Sequence, residues 1–243
     1  MKLPSYDCNL EIARCCCENG IAQSLQNMDK FLYFPKIQKN TERFTLVSLT
    51  KNQTVSLTKT AGSPLTKIAI GLGWDPAKKS KPKGFFSSLL SGGSDSIDLD
   101  ASCVLLDKQG NEIDLIWFSK LKSSCGNVKH QGDNLTGEGD GDDEVINVNL
   151  AGLSAQVEHL AITVNSFRGQ TFDEVDNAFC RVVDDGNNRE LCDYKLAEQG
   201  SHTGILIAVL SREGDDWVFK AHGLACTGKM VKDMLPQIKS AII

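Results

Sequence analysis

Between Asp133 and Glu144 the chain reads DNLTGEGDGDDE, six carboxylates and three glycines in twelve residues with no basic side chain among them. Directly behind this run comes VINVNL, in which Ile146, Val148 and Leu150 alternate with Asn147 and Asn149, the spacing of a half-buried strand. That junction constrains the fold more than any other stretch. Carboxylates at neighbour spacing repel and raise one another's pKa, so a fold that gathers them at the end of a strand has to bring positive charge to meet them. A bound cation is the simplest source. Gly137, Gly139 and Gly141 alternate with Glu138, Asp140 and Asp142, which lets the backbone turn sharply enough for side chains and carbonyl oxygens to converge. A solvated acidic loop that binds nothing is the competing reading, and it suits a disordered run better than one anchored to a strand.

The ligand chemistry selects the cation. The acids, Asn134 and Thr136 offer hard oxygen donors, and calcium accepts about 6–8 of these in loose geometry while magnesium demands a stricter octahedron. Zinc or copper would call for imidazole or thiolate, and the nearest candidates, His130 and Cys125, lack a chelating spacing. The run is not an EF-hand. Counted from Asp133, its third and fifth positions are Leu135 and Gly137, where oxygen ligands are needed, and its sixth is Glu138, where glycine is needed.

Seven further segments resemble the strand at 145–150: residues 66–72, 101–106, 113–118, 159–167, 178–184, 204–210 and 217–222. All are short, rich in Val, Ile, Phe and Trp, and separated by Gly, Asn and Asp turns. They predict an all-β fold, an antiparallel β-sandwich, with a short C-terminal helix where Met230, Met234, Ile238 and Ile242 recur every four residues. The chain has 243 residues, 41% of them hydrophobic, enough for a substantial core, and no apolar stretch approaches the roughly 18 residues of a membrane span. The start, MKLPSYDCNLEIARCCC, predicts no secretory signal. Nine cysteines, an odd number scattered except at residues 15–17, do not form a disulfide framework, and a reducing cytoplasm is the expected compartment. The net charge of −5 is local: without the six acids of the loop, 25 acidic residues face 26 basic ones. A surface so balanced does not predict nucleic-acid binding.

The segments VSLTKNQTVSL, GLGWD, SIDLDAS, GDNLTGEGDGDDE, VNSFRGQTFDEVDNAFCRVVD and QGSHTG together resemble the TerD family of tellurium-resistance proteins, over about four fifths of the chain. The resemblance implies a cytoplasmic, calcium-binding β-sandwich of a tellurite and general stress-resistance system, with no established catalytic activity. Carried over by position, it places metal ligands at Asp133, Asn134, Glu138, Asp140, Asp142, Asp143 and Glu144 in the acidic loop, at Asp98 and Asp100 in the DLD element, and at Asp75 in GLGWD. Asp98 and Asp100 flank Leu99 before a strand, so an extended chain would point both carboxylates to the same side at the sheet end. With this many oxygens two neighbouring calcium sites are expected, and the partition of ligands between them stays open. The expected partners are calcium, other tellurium-resistance proteins and, from the insertion described next, the inner membrane surface, with no nucleic acid.

Residues 1–45 precede the match and are expected to be a poorly ordered extension or the product of a start site placed too far upstream, leaving 46–243 as the TerD-like domain. Within that domain residues 76–94, PAKKSKPKGFFSSLLSGGS, look like an insertion. Its Lys78, Lys79, Lys81 and Lys83 followed by Phe85, Phe86, Leu89 and Leu90 could settle on an anionic membrane, or its apolar end could tuck against the domain. The competing functional class is a metal-dependent hydrolase that uses the acidic cluster to activate water. No HExxH, GxSxG or P-loop sequence accompanies the cluster, and His130, His159, His202 and His222 are dispersed. Cys103 and Cys180 fall in apolar strands, where a thiol is inert towards tellurite.

Overall fold

The computed structural model describes residues 46–77, 97–132, 134 and 141–243. The extension at 1–45 and nearly all of the insertion lie outside the described residues, as do Asp133, Glu138 and Asp140.

Two six-stranded sheets stack face to face. The first runs β1 (Val47–Leu49), β10 (Arg189–Lys195), β9 (Val175–Asp184), β3 (Lys67–Pro76), β7 (Glu144–Asn149), β6 (Val128–His130). The second runs β2 (Thr54–Ser56), β12 (Asp216–Cys226), β11 (Gly204–Glu213), β8 (His159–Asn165), β4 (Asp100–Leu106), β5 (Glu112–Ile116). All neighbours are antiparallel except β1 and β10, a parallel pair at one edge. The expected sandwich is therefore present, with four strands beyond the eight expected. Three of the four, β1, β2 and β6, have only three residues each and offer too few positions for alternation to register.

Alternation decides which residues meet. On β3, Ile68, Ile70, Leu72 and Trp74 turn into the core between the sheets, joined there by Ile146 and Val148 of β7, Cys180 and Val182 of β9, and Ile162 and Val164 of β8. Residues of the opposite parity on the second sheet, Val104, Leu106, Ala161 and Leu206, form a smaller apolar face. Helix α2 (Val231–Ile242) covers that face with Val231, Met234 and Ile238, as the four-residue stripe predicts, while Met230 serves as its N-cap. Gly204 makes room for the helix: a Cβ there would lie 2.8 Å from the Met234 sulfur. A single-turn helix, α1 (Leu57–Ala61), starts on the Ser56 side chain and ends at Gly62 in the left-handed region.

Pro76 closes β3 instead of opening the insertion, and the Ala77 N–H donates to the Glu174 carbonyl at 2.7 Å. The chain is described again from Ile97, whose carbonyl accepts the Trp74 indole N–H at 3.3 Å. The two stems of the insertion thus lie side by side at the acidic end of the sandwich.

Candidate metal centre

Residues 141–143, the last of the acidic run before β7, lie over the end of β3, where GLGWD supplies the landing. Gly71 and Gly73 face outward, opposite to Leu72 and Trp74, and their missing side chains leave a bare trough. A Cβ on Gly71 would lie 2.3 Å from the Asp142 carboxyl carbon, and one on Gly73 would lie 2.7 Å from the Gly141 carbonyl. These contacts account for both glycines of the motif: the Asp142 carboxylate fills the space over Gly71, and the Phe179 ring and the Gly141 carbonyl crowd Gly73. The register between β3 and β9 skips Trp74, pairing Gly73 with Phe179 and then Asp75 with Asp176. That bulge releases the Trp74 N–H from the ladder, and it donates to Asp143 Oδ2 at 2.8 Å. The Asp143 N–H in turn donates to the Leu72 carbonyl at 2.8 Å.

Asp143 and Glu144 turn towards the interior. Asp143 Oδ1 accepts from the Asn134 amide at 2.8 Å. Glu144, 2% exposed, accepts the Asn134 N–H on Oε1 at 3.2 Å and the Ala101 N–H on Oε2 at 2.8 Å. Because Ala101 belongs to β4, Glu144 ties the two sheets together at this end. His130 completes the arrangement from β6: its Nδ1 accepts the Gly132 N–H at 3.1 Å, leaving Nε2 to donate to Glu144 Oε2 at 3.1 Å. Burial pushes the Glu144 carboxyl above its ordinary value, against these donors. Burial also raises Asp143, opposed by the Trp74 N–H and reinforced by the negative charges of Asp75 and Asp142.

Asn134, Asp143 and Glu144 are therefore brought into direct contact, with Asp75 and Asp142 close enough to be felt. Asp75 accepts from the Asn177 amide at 2.7 Å, and Asp142 is gripped by Arg181. Asp98 and Asp100 stand on the second sheet, Asp98 paired with Arg168 at 2.7 Å and Asp100 next to Ala101 at the start of β4. Among the described residues, no three of His, Cys, Asp and Glu converge tightly enough to hold a metal ion alone. Asp133, Glu138 and Asp140 belong to the same loop but lie outside those residues. The donor set that is described nevertheless fits a hard cation. It consists of oxygens, it concentrates negative charge around a half-buried Asp143, and both nitrogens of the one nearby imidazole are already engaged. His130, Arg181 and the Trp74 N–H were not legible as parts of this site; only the HxGDN spacing and the outward parity of residue 181 hint at them.

A sequence model described as the TerD domain matches residues 46–235. The chain belongs to the TerD family. It is 62% identical over 198 residues to the tellurium resistance protein TerZ of Serratia marcescens, covering 82% of this chain and 100% of that one. It is 41% identical to the stress response protein SCP2 of Bacillus subtilis (strain 168), over 78% of this chain and 97% of the relative. Among solved structures, a homologue of telluride resistance protein (TerD) from Streptomyces coelicolor A3(2) superposes with a TM-score of 0.55 at 20% identity, covering 70% of this chain and 95% of that one. At that identity the likeness concerns the TerD fold alone. The TerD match begins at residue 46, where the described structure also begins.

Proposed function

We propose that the chain is the calcium-binding module of a tellurite and general stress-resistance system, working in the cytoplasm as an interaction or membrane-surface scaffold and not as a catalyst. One observation carries the reading: Asp143 is half-buried, feels the negative charges of Asp75 and Asp142, and takes part in no ion pair among the described residues, so its site has an excess of negative charge that a cation would relieve. The proposed ligands come from Asp133, Asn134, Glu138, Asp140, Asp143 and Glu144, with Asp75, Asp98 and Asp100 at the margins and two neighbouring calcium ions as the expected occupancy. The relatives named for tellurium resistance and stress response support the physiological setting. Other tellurium-resistance proteins and the inner membrane surface are the proposed partners. Burial pushes the Cys103 and Cys192 thiols up to about 12 and holds Cys180 well above its ordinary value, which argues for an indirect role over thiol chemistry on tellurite.

Titration calorimetry of the calcium-stripped chain tests the proposal. Saturable binding of calcium, lost on Asp140→Asn and retained on Glu213→Gln, is the expected result. Equal weakening by both substitutions would mean that general surface charge holds the ion.

A further inference from the structure

We infer that Asp142 is a positioning residue and not a metal ligand: with Arg181 it forms a permanent latch that fastens residues 141–144, the end of the acidic run, onto the outer face of the first sheet. Arg181 Nε and Nη2 reach Asp142 Oδ1 and Oδ2 at 2.8 and 2.9 Å, a bidentate pair that engages both carboxylate oxygens. The third nitrogen, Nη1, reaches Glu190 Oε2 on β10 at 3.2 Å, so the guanidinium is itself held in place. Arg181 is the cross-strand neighbour of Gly71, and the space above Gly71 is where the Asp142 carboxylate lies. One edge of that carboxylate is thus occupied by the guanidinium and one face rests against bare backbone. The Asp142 charge that a cation would otherwise meet is already offset in part by a guanidinium that Glu190 shares.

The latch explains how the next residue is aimed. With Asp142 pinned over Gly71, the Asp143 N–H meets the Leu72 carbonyl and the Asp143 carboxylate receives the Trp74 N–H, both on β3. Asp143 is thereby turned inward beside Glu144 before any ion arrives. A charged, bidentate pair beside like charges therefore preorganises residues 142–144 by fixing one carboxylate in place and offsetting part of its repulsion.

The inference rests on the calcium reading only where it speaks of affinity, and two measurements keep the two apart. In the calcium-stripped protein, Asp142→Asn and Arg181→Gln should each lower the melting temperature by several degrees, and the double variant should be no worse than the poorer single one. Both should also speed hydrogen exchange at the Asp143 and Trp74 amides by more than at Leu210, a core amide that reports only the global loss of stability. With calcium, both should weaken binding to a similar and modest extent, below about tenfold, through loss of preorganisation. A ligand role predicts the opposite sign for the arginine: Arg181→Gln would free the Asp142 carboxylate and tighten calcium binding, while Asp142→Asn would abolish it. That pattern, or additive melting shifts, would overturn the latch. Arg181→Lys, which keeps the charge but not the fork, serves if the glutamine variant does not fold, and is expected to show the same loss of amide protection. Should the wild-type chain show no calcium binding, the calcium proposal fails while the stripped-protein coupling still tests the latch.

Discussion

Asp143 and Glu144 are the residues at which folding and the proposed cation binding would oppose each other most directly. Both carboxyls are raised above their ordinary values, chiefly by burial, so the calcium-stripped fold holds their protons more tightly than the unfolded chain does. A carboxyl whose folded pKa exceeds its unfolded one contributes stability that is complete below the unfolded value and is lost as pH rises through the folded value. Stripped protein should therefore lose stability from these two groups as pH climbs upward from the ordinary carboxylate range, whereas saturating calcium, which would bind the ionised forms, should reverse their contribution. Asp107, Asp114 and Asp216 are shifted the other way and mask the trend in the total. Comparing melts of wild type and Asp143→Asn at stepped pH isolates it: the two curves should converge in acid, and curves that stay parallel throughout would show that Asp143 contributes no such linkage.

At the scale of elements, the β3 strand does two jobs with one alternation. Its inward residues build the core, and its outward glycines receive the acidic loop. Gly71→Ala should destabilise the protein by about 1–3 kcal/mol, since a Cβ at 2.3 Å from the Asp142 carboxyl forces the loop to move. Urea unfolding checks this, and Asp142→Ala provides the internal control because it removes the atoms that clash. The two substitutions together should cost less than the sum of their separate effects, and strict additivity would mean that the loop does not rest on Gly71. Helix α2 illustrates the converse case, an element whose apolar stripe alone announced which face it would bury.

For the whole molecule, calcium is expected to bind the folded state selectively, because the ligands come from segments that only the fold brings together. Stability should then rise by about 2.7 kcal/mol when free calcium is a hundredfold above its dissociation constant. Thermal melts with chelator and with calcium measure it, magnesium should substitute poorly, and an unchanged melting temperature would remove the linkage. No helix among the described residues is long and apolar enough to cross a membrane. The proposed attachment to a bilayer surface is expected of the lysines and aromatic residues in the sequence of the insertion. Binding to acidic vesicles should weaken with salt, since the Debye length is about 8 Å at physiological ionic strength, and neutral vesicles should bind little. Changing Lys78, Lys79, Lys81 and Lys83 together to Gln should reduce recovery in vesicle flotation. Equal recovery of wild type and variant would leave a soluble partner as the scaffold's target.

The local chemistry of the chain was enough to announce a sandwich, its covering helix and the position of its acidic centre, because alternation over five or more residues and carboxylates crowded beside glycines have few other uses. VINVNL, for example, pairs along β3 in the register its alternation requires. The three-residue strands were invisible for want of length, and their pairing is a property of the sheet edge that accepts them. Only the tertiary structure could decide which acids are compensated. Arg181 lies 39 residues from Asp142, and Ala101 lies 43 from Glu144, so neither contact leaves a local pattern. What each carboxylate does depends on the charge and the N–H groups that the two sheets bring to it, and those are set by strand register across the sandwich, not by the composition of the loop.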